Sequence, residues 1–117
     1  NEAGKARGCE IFHYPTSSKG KVLAASIYKF LEPLTPTADR GIKTSSTLYE
    51  LKSTHFPAVI VETAFHDNFD DATWIVNNIA PIAEALAKGI CDYLGIPYKG
   101  NPYKKAIEQI KAILGEL

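Results

Sequence analysis

The chain has no net charge to speak of: 13 Lys and Arg offset 13 Asp and Glu across 117 residues. Its basic residues are dispersed, so it offers no electrostatic footprint for a nucleic-acid backbone. No apolar run approaches the roughly 20 residues needed to cross a bilayer. Neither nucleic acid nor membrane is an expected partner. Methionine is absent, and Asn1-Glu2-Ala3-Gly4 opens the sequence with neither a basic segment nor an apolar one behind it. A processed protein or an excised piece is expected to begin this way. Cysteine is scarce. Cys9 and Cys91 are far apart with no CxxC spacing, which argues against a zinc knuckle or a disulfide scaffold and for two small buried thiols. The three histidines, His13, His55 and His66, form no HxxH or HxxxH pair that a helix would align on one face.

What is present suits one soluble domain. Apolar residues make up 45% of the chain, and a chain of this size buries about two thirds of its unfolded surface, enough for a core without staples. Residues 1–8 are polar and read as a loop. Cys9 to Tyr14 has the β-branched and aromatic content of a strand, which Pro15 stops. Ser17 or Ser18 can cap a helix over Lys21 to Leu34, where Leu23, Ile27, Phe30, Leu31 and Leu34 recur at helical spacing and Pro33 and Pro36 end it. Residues 35–56 read as an irregular connection with one brief strand near Leu48, Tyr49 and Leu51.

Pro57-Ala58-Val59-Ile60-Val61 is a continuous apolar run, as expected of a central strand covered on both faces in a parallel sheet. From Asp70, a helical stripe through Ile75, Ile79, Ile82, Leu86, Ile90 and Leu94 runs about seven turns, with Pro81 expected to divide it. Gly95, Pro97, Gly100 and Pro102 make a linker, and Tyr103 to Leu117 reads as a last amphipathic helix. Strands alternating with helices point to an α/β layer architecture.

Glu62 is the sharpest chemical signal, because an ionised carboxylate is costly to bury and this one ends a run of five apolar residues. Two readings stay open: a carboxylate turned to solvent, or one in a partly dry cleft with its pKa raised into the range a general base needs. Glu10 and His13 point to opposite sides of a strand and would not converge on one ion. His13 is expected to be structural or to line a site, His55 to be exposed, and His66 to border the crevice beside Glu62. Arg40-Gly41 after Asp39 reads either as a turn with an ion pair or as a substrate-facing arginine. Ser17, Ser18, Ser45 and Ser46 lack a GxSxG context, and the glycines make no phosphate-cradling pattern.

Taken together, Gly8-Cys9-Glu10-Ile11-Phe12, Arg40-Gly41-Ile42-Lys43, Leu48-Tyr49-Glu50-Leu51 and above all Pro57-Ala58-Val59-Ile60-Val61-Glu62-Thr63-Ala64-Phe65-His66-Asp67-Asn68 resemble a known family. They are similar to the zinc-dependent N-acetylmuramoyl-L-alanine amidases of peptidoglycan, a group that includes bacterial cell-wall amidases and phage endolysins. The resemblance covers residues 1 to about 96 in order. It departs from the family pattern at Ala64, where glycine is usual, and at His66 and Asp67.

The resemblance implies a three-layer α/β fold, a mixed sheet flanked by helices, acting outside the cell or at the cell wall. It implies Glu62 as the catalytic glutamate, with Glu10, Arg40 and His66 on the substrate side. It also implies zinc held by a His, a Glu and a second His that precede the block matched by Gly8 to Phe12, so that N-terminal strands and all metal ligands are expected upstream of Asn1. Residues 1–96 are then the C-terminal portion of a catalytic domain, and 97–117 a linker and helix. Zinc with an open position supplies both a nucleophile at neutral pH and stabilisation of the oxyanion.

Three functions follow from this as expectations. The first is hydrolysis of the bond between N-acetylmuramic acid and L-alanine by the whole protein. The second is a non-catalytic remnant that binds peptidoglycan, and the third is a metal-free hydrolase built on Glu62 and His66. An unpaired sheet edge would also favour homodimers or aggregation.

Overall fold

Alternation along one short strand sets the two faces of the molecule. In the computed structural model, which describes residues 3–37 and 39–115, Glu10–His13 form β1. Cys9, Ile11 and His13 point to one side and Glu10 and Phe12 to the other. Cys9 and Ile11 are fully buried. Cys9 packs with Leu31, Ile82 and Ala85, and Ile11 with Ala24 and Ile27. The helical layer therefore covers the Cys9 and Ile11 face, and Glu10 projects from the opposite one.

β1 is the central strand. On one side it pairs in parallel with β2, Ile42–Thr44, setting Phe12 opposite Lys43. On the other it pairs antiparallel with β3, Val59–Glu62, setting Glu10 opposite Glu62. The sheet is thus mixed, with order β2-β1-β3, and helices flank it as expected. Two details of the expectation are corrected. The run ending at Val61 is a half-buried edge strand among the described residues, not a central parallel one. Val59 and Val61 pack on the helix side while Ile60 alternates away, and a continuous apolar run cannot distinguish that from burial on both faces. The brief strand of the long connection lies at Ile42–Thr44, and Tyr49–Lys52 instead form a single helical turn, α2, that buries Leu51. β2 has no apolar alternation of its own and exists through its pairing with β1.

The first helix, α1, spans Ser18–Leu31. It starts a turn earlier than the periodicity indicated because the Ser17 side chain accepts from the Gly20 N–H at 3.0 Å. It buries Gly20, Ala24, Ile27 and Leu31 on one stripe and ends in a 3-10 turn, Glu32–Leu34. The long stripe after residue 69 is two helices, α3 at Phe69–Asn77 and α4 at Ile79–Leu94. The break falls at Asn78, and Pro81 sits in the first turn of α4, where its missing N–H has no intrahelical partner to lose.

α4 lies against α1, the main helix contact of the fold, and buries Ile82, Ala85 and Gly89. Gly95 closes it in the left-handed conformation, φ 67°. The last helix, α5, spans Lys104–Gly115 and buries none of its residues, although its apolar stripe is present. Its expected end at Leu117 lies outside the described residues. Both cysteines are free, as their spacing suggested; Cys9 is buried, but Cys91 is only half-buried where a buried thiol was expected.

Candidate active site

The sheet face turned away from α1 and α4 carries two carboxylates, and the antiparallel register makes them neighbours. Residues directly opposite across such a ladder have Cβ atoms about 5 Å apart, so the carboxyl groups of Glu10 and Glu62 lie side by side and influence each other's titration. Glu10 is 4% exposed, whereas Glu62 is half-buried. Two cations converge on the same oxygen of Glu10. Lys43 Nζ, brought onto this face by the parallel pairing of β2, bonds its Oε2, and Arg40 Nε lies 3.3 Å from that atom.

This distribution of charge splits the pair. Burial raises the Glu62 pKa, and the neighbouring carboxyl group of Glu10 raises it further against the opposing pull of Arg40 and Lys43. Burial also acts to raise Glu10, but Lys43, the adjacent Glu62 and Arg40 together bring it below its ordinary value. When the pair carries a single proton, Glu62 is the member favoured to hold it and Glu10 the one favoured to be ionised. Of the two readings of Glu62, the structure has the partly dry carboxylate with raised proton affinity.

Arg40 owes its position to a tight turn. Gly41 adopts φ +81°, and its N–H donates to Asp39 Oδ1 at 2.7 Å and to the Tyr28 hydroxyl at 3.0 Å. Arg40 N–H donates to Cys9 O, and Ile11 N–H to Gly41 O. The guanidinium stacks over the Phe65 ring, 4.9 Å from its centroid. Arg40 is therefore in a turn with an ion pair, as one reading had it, and the ion pair reaches Glu10.

Phe65 is fixed in turn from the start of the chain. Asp71, 1% exposed in the first turn of α3, accepts from Gly8 N–H at 2.9 Å, Phe65 N–H at 3.2 Å and Arg7 Nε at 3.0 Å. Asn68 caps α3 by accepting from the N–H groups of Asp70 and Asp71, and its Nδ2 donates to Gly4 O. Asp67 accepts from Gly4 N–H. These bonds stitch residues 4–8 to the connection that follows Glu62.

Glu62, Glu10 and Arg40 are thus brought together, and Lys43 joins them. Sequence reasoning passed over Lys43 as part of a motif, although strand alternation from Phe12 would have flagged it had the β1–β2 pairing been known. It also passed over Asp71, whose only sequence signal was an acidic residue one turn into a helix. His66 is exposed in the turn after β3 and shares no hydrogen bond or ion pair with the cluster among the described residues. His13 is buried on the helix side, its Nδ1 2.9 Å from Tyr14 O. His55 is exposed and lines a separate cavity of about 300 Å³ at the opposite end of the sheet, with Tyr14, Ser17, Leu51 and Phe56.

Residues 1–92 match the family described as N-acetylmuramoyl-L-alanine amidase. The chain belongs to that family. It is 34% identical over 104 residues to an uncharacterised cell wall amidase of Bacillus anthracis, covering 77% of this chain and 19% of that protein. It is 32% identical over 110 residues to the endolysin of Bacillus phage SPP1, covering 86% of this chain and 40% of that one. Among solved structures it resembles the catalytic domain of CwlV, an N-acetylmuramoyl-L-alanine amidase from Bacillus (Paenibacillus) polymyxa var. colistinus. There the TM-score is 0.73 and the identity 26%, over 83% of this chain and 54% of that one. The chain therefore spans less than half the length of these curated relatives and about half of the CwlV catalytic domain.

The described part of this amidase domain does not fit the zinc that family resemblance implies. Among the described residues, no group of three or more His, Cys, Asp or Glu side chains stands close enough to hold a metal ion. Glu10 is engaged by Lys43 and Arg40, Glu62 stands opposite it in register, and His13 faces the other side of the sheet. What the amidase cluster can do by itself is hold one proton on a half-buried carboxyl group and exchange it. Among the described residues, no helix is long and apolar enough to cross a membrane.

Proposed function

We propose that the whole protein hydrolyses the amide bond between N-acetylmuramic acid and L-alanine in peptidoglycan, at the cell wall, with Glu62 as the group that moves the proton. The supporting observation is Glu62 itself: a half-buried carboxyl at the end of an apolar strand, its proton affinity raised by burial and by Glu10. An amide needs a proton removed from the attacking water and one delivered to the departing amine nitrogen, and one carboxyl can do both in sequence. Arg40 and Glu10, on the same face, border the place where the acyl group would lie, with His66 at its edge. Zinc would be held by ligands outside the described residues, a His, a Glu and a second His upstream of Asn1, while residues 97–117 stand outside the catalytic part.

The test is release of new L-alanine amino termini from purified cell walls by the full-length protein, with and without Glu62→Ala. Loss of at least about a hundredfold is expected, the lower end of what a general acid–base group contributes. Retained activity would overturn the assignment. The alternative reading is a peptidoglycan-binding remnant without activity. Tight binding to cell walls with no cleavage in the presence of zinc would establish it in place of the first.

A further inference from the structure

Glu10 is more deeply buried than the glutamate it faces, and it is held by more groups than a strand residue needs. Lys43 and Arg40 both point at its Oε2 from β2 and from the turn before it. Each cation is itself braced by an aromatic ring, Arg40 by Phe65 and Lys43 by Phe12, with the lysine 5.9 Å from the ring centroid. A carboxylate needed only for packing would be replaced at less cost by an apolar residue, because burying charge on a sheet face is unfavourable without return elsewhere. Here the neighbour opposite it in register is Glu62.

We infer that Glu10 is the positioning residue for Glu62: set directly opposite it in the antiparallel register and held by two cations, it orients that carboxyl group and with Lys43 and Arg40 sets the pH at which the proton leaves. The groups facing Glu62 are Glu10 from β1, Lys43 from β2 and Arg40 from the turn before β2. Two like charges side by side cannot both ionise cheaply, so the cations on Glu10 decide which member stays charged. The inference rests on Glu62 being the proton carrier proposed above, and it makes Glu10 act on the reaction through Glu62.

The experiment follows the side-chain carboxyl carbons of both residues by NMR in protein labelled with 13C-glutamate, across a pH titration. Glu10→Gln removes the negative neighbour, so the Glu62 midpoint should move to lower pH. Lys43→Met removes a positive one, so the midpoint should move to higher pH. A Glu10 that does not interact with Glu62 would give no such opposed pair of shifts, and midpoints that stay put or move the same way in both variants would overturn the inference. The acid limb of kcat/KM on cell walls should follow the Glu62 midpoint in each variant. Opposed midpoints with an unmoved acid limb would uphold the pairing and overturn instead the role of Glu62 as proton carrier.

Discussion

Gly89 is where α4 touches α1 most closely, and replacing it with alanine tests the packing beneath the site. A Cβ at this position would lie 2.4 Å from Ile27 Cα, 2.9 Å from its Cγ1 and 3.0 Å from its N. Carbon atoms in contact prefer separations of about 3.5–4.0 Å, so the helices would have to part by roughly 1 Å. The nearest obstacle is backbone, which no rotamer change can relieve. Overpacking of this kind costs about 3 kcal/mol, the upper part of its usual range, while alanine regains about 1 kcal/mol of helix propensity over glycine.

The net expectation for Gly89→Ala is a loss of about 2 kcal/mol, or a Tm lower by roughly 8 °C. Urea unfolding followed by circular dichroism and Trp74 fluorescence reads it directly. Gly115→Ala is the control, since nothing lies within 4 Å of that position, and it should stay within about 0.5 kcal/mol of the parent. A Gly89→Ala protein as stable as the parent would refute the close approach of the two helices.

Asp71→Asn should destabilise by about 2 kcal/mol, because it weakens bonds from two backbone N–H groups and Arg7 to a buried carboxylate. Burial acts to raise the Asp71 pKa, but Gly8, Arg7 and Phe65 outweigh it and hold the carboxyl below its ordinary 3.8. Its contribution is therefore present above that pH and lost as pH falls through the lower folded value, so the variant should show a flatter acid side in a stability-versus-pH series. Iodoacetamide at pH 8 should modify Cys91 and spare Cys9. Burial, then the charge of Asp39, pushes the Cys9 thiol up to about 11, and labelling of Cys9 in folded protein would refute its burial. The free side of β3 predicts self-association of these 117 residues, which Ile60→Lys should reduce. Sedimentation velocity would decide, and a monomer for the parent chain at micromolar concentration would count against the exposed edge.

Local chemistry was enough to place β1, α1, the end of β3 and the stripe that becomes α3 and α4. Each depends on short-range patterns: β-branched content, helical periodicity, a serine cap, a proline stop. The same local reasoning singled out Glu62, because one carboxylate closing an apolar run is conspicuous whatever the fold. It could not say that β3 is an edge strand antiparallel to β1, since a continuous apolar run is compatible with either surroundings. Nor could it tell that the stripe of α5 stays exposed, because amphipathicity records what a helix is able to bury and not whether a partner stands beside it.

The pairing that gives Glu62 its chemistry was out of reach for a related reason. Glu10 meets Glu62 only through the register of an antiparallel ladder between segments distant in the chain, and Lys43 joins them only because β2 runs parallel on the other side of β1. A shift of one residue in either register would send these side chains to the opposite face. Propensity and periodicity act over a few residues, so they name the elements and the odd carboxylate. Which charges meet across the sheet, and therefore which of the two glutamates keeps the proton, is settled by long-range strand pairing.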